Sequence, residues 1–415
     1  MEIKESNNLR KNFIWNIIGT TFTAFNSLFF LIVVTRVNGV DKAGIFTFAF
    51  ALSLLFYAIG IYSGRTYQVT ESEKKISDGD YFYHRIITCI LMFTVTLVFV
   101  ILQQYSIYTI GIILILMLWR TLEAFSEYSY AIMQTRNKLY LAGQSLFFKA
   151  IGSLILFVVI NIITQNLILS SLMIVLVNIL VILFFDILVL RKMKLKIGKI
   201  NKKHVMIIFK KGFYTFAFLF LTVYIINAPR YAIDNIMALE AQTIFGILIM
   251  PATVLILMGQ FIIQPFLVEL KNKISENNIT AFRNLALKMI LGLSILGVLA
   301  IIGAWFLGIP ILELVYGISL SDYHVQLIII LIGATSFGIT VILSHCLIVM
   351  RHTLSQLIVF AACSVIIFIL SNQLVTSSGI NGAVLSYMIT MLILVLSYLV
   401  LFFYSIKKYR GENNE

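Results

Sequence analysis

The chain has 415 residues, of which 60% are hydrophobic and 12% are charged, and its formal net charge is +13. Soluble globular domains contain about 45–50% apolar and about 25% charged residues, so this composition excludes a soluble globular protein and indicates a chain that lies in a lipid bilayer. The basic residues are spread between apolar runs rather than gathered on one polar segment, which argues against a surface that binds nucleic acid.

The apolar runs are long enough to be transmembrane helices. A helix needs about 20 apolar residues to cross a bilayer, and the chain contains about twelve runs of this kind. The first run follows Lys4, Arg10 and Lys11, and it is too long for the core of a signal peptide, so we expect it to remain as the first span. The sequence therefore predicts an all-α polytopic membrane protein with spans at 12–35, 43–63, 86–103, 110–131, 145–163, 168–190, 213–230, 242–266, 286–308, 325–349, 355–373 and 381–405.

The distribution of the 31 basic residues predicts the orientation and the division of the chain. With the N-terminus in the cytoplasm, nearly all of them fall on the cytoplasmic side, as the positive-inside rule requires. We therefore expect a multi-pass protein of the plasma membrane with both termini in the cytoplasm. The longest basic stretch follows the sixth span, and it predicts an N-terminal six-helix bundle (1–190), a basic cytoplasmic linker (191–212) and a C-terminal six-helix bundle (213–415).

The fourth span carries three charged residues, and contact of these residues with lipid would cost free energy. Arg120, Glu123 and Glu127 are spaced three and four residues apart, so they share one helical face. A charge at the middle of a bilayer costs about 2.5–3.5 kcal/mol, and such residues therefore tend to face an interior cavity. Two interpretations stay open: an ion-pair ladder that holds neighbouring helices together, or a cavity wall that binds cargo or a coupling cation. Glu123 is the better candidate for coupling, with Glu127 as the second.

Other charged residues lie near the ends of spans. Lys149 is about one turn inside the fifth span, where it either extends to the headgroups or faces a cavity. Arg65 lies at the inner end of the second span, and Arg36 and Arg230 lie at outer ends. Each arginine is either an interfacial anchor or a ligand for phosphate, which a guanidinium group can contact with two hydrogen bonds. Asp234 follows Arg230 by four residues, so it can pair with it or bind a cation.

The eighth span contains Pro251 and Pro265. Proline removes a backbone hydrogen bond and kinks a helix, so these residues predict either a static kink or a hinge that bends during transport. The sequence has no metal-binding, nucleotide-binding or nucleophile motif, and its outer loops are short. We therefore expect no enzymatic activity, no metal and no organic cofactor.

Three segments resemble a known family. Residues 8–52 (NLRKNFIWNIIGTTFTAFNSLFFLIVVTRVNGVDKAGIFTFAFAL) resemble the opening of Wzx-type flippases of the polysaccharide transporter family, which shares a superfamily with MATE exporters and lipid II flippases. Residues 65–71 (RTYQVTE) with 77–86 resemble the loop between its second and third helices. Residues 227–265, which begin NAPRYAIDNIMALEAQTIFGILI, resemble the corresponding segment of Gram-positive capsule flippases.

The resemblance implies a MATE-like fold of two six-helix bundles around a central cavity that opens alternately to each side. It implies a flippase that moves an undecaprenyl-diphosphate-linked oligosaccharide to the outer leaflet for capsule or O-antigen synthesis, next to membrane lipids, a polysaccharide polymerase and glycosyltransferases. It also implies cationic cargo ligands, here Arg36, Arg65, Arg120, Lys149 and Arg230, and a coupling proton or sodium ion at Glu123, Glu127 or Asp234. The alternatives are a lipid II flippase, a multidrug or cation antiporter, and, last, a membrane enzyme that modifies glycans.

Overall fold

The computed structural model of the protein describes residues 2–71, 76–193 and 200–412. Every regular element in these ranges is helical, which confirms the predicted all-α class. A π-helical turn at Ile182–Asp186 joins the seventh and eighth helices. The helices of the first half are α1 (Glu2–Asn38), α2 (Val40–Ile61), α3 (Gly64–Thr70), α4 (Asp78–Gln103), α5 (Ile107–Thr135), α6 (Leu139–Thr164), α7 (Leu167–Val181) and α8 (Ile187–Lys192).

The second half contains one helix with an internal break. In α16, Gly379 has φ 56° and ψ −131°, a backbone conformation that glycine adopts readily and that no helix contains. This helix therefore consists of two parts that meet at Gly379. The helices of this half are α9 (Lys202–Ile236), α10 (Leu239–Leu248), α11 (Met250–Ile263), α12 (Leu267–Ser275), α13 (Ile279–Gly303), α14 (Ile309–Tyr316), α15 (His324–Val349) and α16 (Thr353–Glu412).

The described ranges contain 11 helical segments that are long and apolar enough to cross a membrane. The last of them is 57 residues long and includes Gly379, so it accommodates both of the last two predicted spans. Many large apolar side chains on these segments are exposed, for example Ile163 at 73% and Leu314 at 75%. An aqueous surface rarely carries so many exposed apolar groups, whereas a surface that faces lipid requires them. The chain is therefore a multi-pass membrane protein.

Two compact units divide the chain, Met1–Val223 and Tyr224–Glu415, and their boundary falls inside α9. Residues 194–199 of the predicted linker lie outside the described residues. The remainder of that linker from Lys202 onward forms the first turns of α9. The exact limits of the two predicted bundles stay a prediction.

Small residues bring α1 and α6 together in the N-terminal unit. A Cβ atom on Gly19 would collide with the carbonyl group of Gly143, and a Cβ atom on Gly143 would collide with the backbone of Trp15. Further along the same contact, the Asn26 side chain donates a hydrogen bond of 3.1 Å to the carbonyl of Ala150. Small residues and polar contacts of this kind are how helices associate in membranes, where no hydrophobic effect drives them together.

A sharp turn separates α2 from α3. Tyr62 and Ser63 both adopt left-handed backbone conformations, with φ values of 38° and 54°. The end of α2 is held by two buried donors, since both the Arg85 guanidinium and the Thr88 hydroxyl donate hydrogen bonds to the carbonyl of Gly60. This turn, which we call the α2–α3 elbow, places Arg65 at the start of α3.

Candidate functional site

The charged face of α5 lines a cavity inside the N-terminal unit. The cavity has a volume of about 310 Å³ and is bounded by residues of α1, α2, α3, α5, α6 and α7. Arg65, Arg120, Glu123, Glu127 and Lys149 all line it, so five of the predicted site residues lie together. We call it the charged cavity. Its other polar lining residues are Thr20, Thr23, Asn26, Tyr57, Ser126, Tyr130, Ser153 and Asn178.

Arg120 is held by a carboxylate and by aromatic rings. It is 5% exposed, and its Nη1 atom forms an ion pair with Glu123 one turn further along α5. Its guanidinium carbon lies 4.1 Å from the ring centre of Trp119 and 5.0 Å from that of Phe50. Aromatic faces stabilise a cation more strongly when water is excluded, so this environment allows a permanent charge to remain inside the membrane.

Arg65 reaches from α3 to α5. Its Nη1 atom lies 3.0 Å and 3.3 Å from the two carboxylate oxygens of Glu127, and its Nε atom donates a 3.1 Å hydrogen bond to Gln134. The Arg65 and Glu127 side chains are 25% and 23% exposed, so this pair is the most accessible of the ion pairs in the cavity. The predicted face of α5 is therefore correct, but the partner of Glu127 comes from another helix.

Lys149 forms the deepest ion pair. Its Nζ atom lies 2.7 Å from Asp186 Oδ2, and it also donates hydrogen bonds to Ser126 at 2.6 Å and to Tyr130 at 3.1 Å. The Lys149 side chain is 7% exposed and that of Asp186 is 1% exposed. Lys149 therefore faces the interior of the bundle and does not extend to the headgroups.

Asp186 is a functional candidate that the sequence reasoning missed. It lies in the π-helical turn between α7 and α8, within the apolar run VILFFDILVL. Glu123 was identified as a charged residue inside a predicted span, and the same criterion applies to Asp186 in the span 168–190. With Asp186 included, the three cations of the site are matched by three carboxylates. The charged cavity is therefore electrically balanced, and its charges act as partners of one another.

Arg36 lies outside the charged cavity. It is exposed in the last turn of α1. Arg230 and Asp234 belong to the C-terminal unit, where Arg230 is 5% exposed and Asp234 is half-buried. The Arg230 Nη1 atom donates a 3.3 Å hydrogen bond to Asn227, while its Nε atom has no hydrogen-bond partner among the described residues. A buried guanidinium with an unused donor is suited to an anionic ligand.

The two prolines coincide with breaks in the eighth predicted span. Pro251 lies in the first turn of α11, directly after the end of α10, and Pro265 lies in a 3₁₀ turn between α11 and α12. Proline is tolerated at these positions because its missing N–H group is not needed at a helix start. The membrane-spanning segment Leu239–Ser275 is thus divided into α10, α11 and α12, with a proline at each junction.

Three comparisons with known proteins bear on this arrangement, and no protein-family model matches the chain. The capsular polysaccharide biosynthesis protein CapF of Staphylococcus aureus is 26% identical over 412 residues, which cover 94% of this chain and 98% of CapF. The structure of the lipid II flippase MurJ in an inward closed conformation matches this chain with a TM-score of 0.73 at 17% identity. The match covers 95% of this chain and 90% of the MurJ chain.

An inward-facing multidrug resistance MATE family transporter of the MOP superfamily also matches with a TM-score of 0.73, at 10% identity. This match covers 95% of this chain and 99% of the transporter chain. The chain has the MATE-like fold. The match to MurJ and the MATE protein confirms the predicted fold class. The similarity to CapF, together with this fold, confirms the predicted resemblance to polysaccharide transporters. MurJ and the MATE protein are a flippase and a transporter rather than enzymes. In the described ranges, no group of three or more His, Cys, Asp or Glu residues is placed to hold a metal ion.

Proposed function

We propose that this protein is a flippase that moves an undecaprenyl-diphosphate-linked oligosaccharide from the cytoplasmic to the outer leaflet, by alternating access, for the synthesis of a surface polysaccharide. The observation that carries the proposal is the similarity to CapF over nearly the whole length of both chains. The MATE-like fold adds to it, because lipid-linked cargo is also the substrate named for MurJ. The physical task fits such a fold. Each unpaired hydroxyl group in hydrocarbon costs several kcal/mol, so a glycan needs a polar path while its polyprenyl chain stays in lipid.

The charged cavity is too small to hold the oligosaccharide of this cargo. Its volume of about 310 Å³ is at the lower end of the range for drug-sized ligands, about 300–1,000 Å³. We therefore assign the charged cavity to coupling. Glu123 and Glu127 are the groups that take up a proton or a sodium ion there, with Asp234 as a further candidate in the C-terminal unit. Occupation of either carboxylate weakens its pairing with Arg120 or Arg65 and so changes the packing of α5.

Five cations are candidates for binding the diphosphate. Arg65, Arg120 and Lys149 each form an ion pair, but the side chains of Arg120 and Lys149 are both 7% exposed whereas that of Arg65 is 25% exposed, so Arg65 is the one that a phosphate group can reach. Arg36, Arg65 and Arg230 are therefore the primary ligands in this proposal, and Arg120 and Lys149 join them only when their carboxylates are neutralised. We further propose that the protein bends at Pro251 and Pro265 during transport and that both termini lie in the cytoplasm. Its partners in this proposal are membrane lipids, a polysaccharide polymerase and glycosyltransferases.

A gene deletion with analysis of lipid-linked glycans in each membrane leaflet tests the proposal. We expect undecaprenyl-diphosphate-linked repeat units to accumulate on the cytoplasmic side, with loss of surface polysaccharide. Accumulation of lipid II instead would identify a lipid II flippase. Normal glycans with new sensitivity to cationic compounds would identify a drug antiporter, and single repeat units trapped in the outer leaflet would identify an enzyme that acts after translocation.

Complementation of that deletion tests the proposed ligands. A variant with Arg36→Gln, Arg65→Gln and Arg230→Gln should be present in the membrane at the parent level and should restore no surface polysaccharide, because the diphosphate loses its cationic partners. Arg10→Gln is the matched control, since Arg10 is exposed near the N-terminus. Full restoration by the triple variant would refute the assignment of these residues.

A further inference from the structure

A second cavity lies next to the charged cavity in the N-terminal unit. It has a volume of about 560 Å³ and lies against α3, the end of α5 and the part of α9 that carries Thr215 and Leu219. We call it the α3 cavity. Of all the residues that line the two cavities, Arg65 and Glu127 alone line both. Their ion pair therefore stands at the boundary between the two volumes.

The side chains at this boundary form a partly exposed ion pair. One guanidinium nitrogen of Arg65 contacts both carboxylate oxygens of Glu127, and Nε is held by Gln134. The guanidinium group also lies 5.8 Å from the ring centre of Tyr130, which covers its other side. About a quarter of each paired side chain is exposed, and ion pairs that keep contact with water are weak compared with buried ones.

The backbone next to Arg65 stores strain. Tyr62 and Ser63 are consecutive non-glycine residues with positive φ, a conformation that L-amino acids rarely adopt. Strain of this kind persists only where the surrounding structure holds it, and it clusters at switch regions. Here the contacts that hold the elbow are the Arg85 bond to the carbonyl of Gly60 and the Tyr62 ring, which stacks on Phe216 with 4.5 Å between the ring centres.

We infer that the Arg65–Glu127 ion pair is a gate between the α3 cavity and the charged cavity. When it is closed, the Arg120–Glu123 and Lys149–Asp186 pairs are shielded from the larger volume. When the α2–α3 elbow relaxes, α3 carries Arg65 away from Glu127, and water and small cations reach Glu123. This inference goes beyond the proposed function, because it concerns access to the charged cavity whatever the cargo is.

Cysteine accessibility measures the state of this gate directly. In a background in which Cys89, Cys346 and Cys363 are replaced by alanine, Ala24→Cys places a thiol in the wall of the charged cavity on α1, a helix that carries none of the paired charges. Thr215→Cys places a thiol in the α3 cavity on α9, a helix that does not carry the gate residues. The rate at which a cationic, membrane-impermeant methanethiosulfonate modifies each thiol is then measured by mass spectrometry on purified protein.

Replacing Glu127 by glutamine removes the negative charge and keeps the size of the side chain. This substitution should open the gate. We expect Glu127→Gln to raise the modification rate of Ala24→Cys by about three- to fivefold, the shift produced by losing a partly exposed ion pair. The rate at Thr215→Cys should stay within about twofold, because that thiol lies on α9 and does not depend on the gate. The charge-swapped variant with Arg65→Glu and Glu127→Arg should return the Ala24→Cys rate to the parent value.

An unchanged rate at Ala24→Cys in the Glu127→Gln variant would overturn the gate. An equal rise at both thiols would also overturn it, because it would show general loosening of the unit. The charge-swapped variant provides a second criterion: a rate as fast as that of Glu127→Gln would show that pairing does not control access. These rates are measured without cargo, so failure of the gate and failure of the flippase proposal are distinguishable.

Discussion

Replacing Lys149 by methionine should destabilise the N-terminal unit strongly, because it leaves Asp186 buried without a partner. The 2.7 Å separation of the pair corresponds to an attraction of about 6 kcal/mol at an effective dielectric constant of about 20. Desolvation of the two ions opposes this attraction by several kcal/mol per ion, so the intact pair is close to neutral for stability. Removing one partner keeps the desolvation cost of the other, and the expected loss is about 3–5 kcal/mol.

The same reasoning predicts the outcome of removing both charges. The double variant Lys149→Met with Asp186→Leu should recover most of the lost stability, because an apolar pair of similar volume has no charge to desolvate. Lys138→Met is the matched control, since Lys138 is exposed at the turn before α6. It should leave the stability of the unit unchanged.

Thermal unfolding in detergent can be followed with a dye that fluoresces on reaction with a thiol. Cys89 is buried in the N-terminal unit, and replacing Cys346 and Cys363 by alanine makes it the sole reporter. For a unit of this size about 1 kcal/mol shifts the unfolding temperature by about 2–4 °C, so Lys149→Met should lower it by roughly 6–20 °C. A shift no larger than that of Lys138→Met, or a double variant as unstable as Lys149→Met, would refute the reasoning.

Three further predictions follow from packing, coupling and bending. Gly143→Ala should lower the stability of the N-terminal unit by about 1–3 kcal/mol in the same assay, because its Cβ would collide with α1. Gly111→Ala is the matched control in the same unit, since a Cβ atom there would meet only an ordinary contact with Ile168 at 3.9 Å. A loss no larger than that of the Gly111 control would contradict the close contact of α1 with α6. Glu123→Gln should abolish the dependence of transport on an imposed cation gradient in vesicles, and an unchanged dependence would exclude Glu123 as the coupling group. Replacing Pro251 and Pro265 by alanine should slow transport without changing cargo affinity, since the helix pieces of α10–α12 would join. An unchanged rate would identify these breaks as fixed kinks.

The sequence was sufficient for the spans and for the charged face of α5. The positions of the spans follow from the lengths of the apolar runs, because a helix must be long enough to cross the bilayer. The spacing of Arg120, Glu123 and Glu127 places them on one face of any α-helix. The sequence also separates the last two spans, 355–373 and 381–405, and the break at Gly379 lies between them. Local pattern and membrane thickness are enough for these features.

The partners of the charged residues could not be predicted, because they depend on how helices rotate against one another. The pairing of Arg65 with Glu127 requires the elbow at Tyr62 and Ser63, and that elbow depends on Arg85, which comes from another helix. No local sequence pattern predicts that two consecutive residues other than glycine adopt left-handed backbone conformations. The balance of charge in the cavity likewise depends on Asp186, whose direction toward Lys149 is a property of the packed unit.

Transfer of lipid-linked glycan by the purified protein tests the proposed function most directly. The protein is placed in liposomes with a labelled undecaprenyl-diphosphate oligosaccharide, and the amount in the outer leaflet is measured with an impermeant enzyme that cleaves exposed glycan. We predict that the protein makes the inner pool of this lipid accessible over time, faster than in protein-free liposomes and faster than lipid II in parallel samples. Equal accessibility with and without protein would contradict the proposal that this chain is a flippase for polysaccharide precursors.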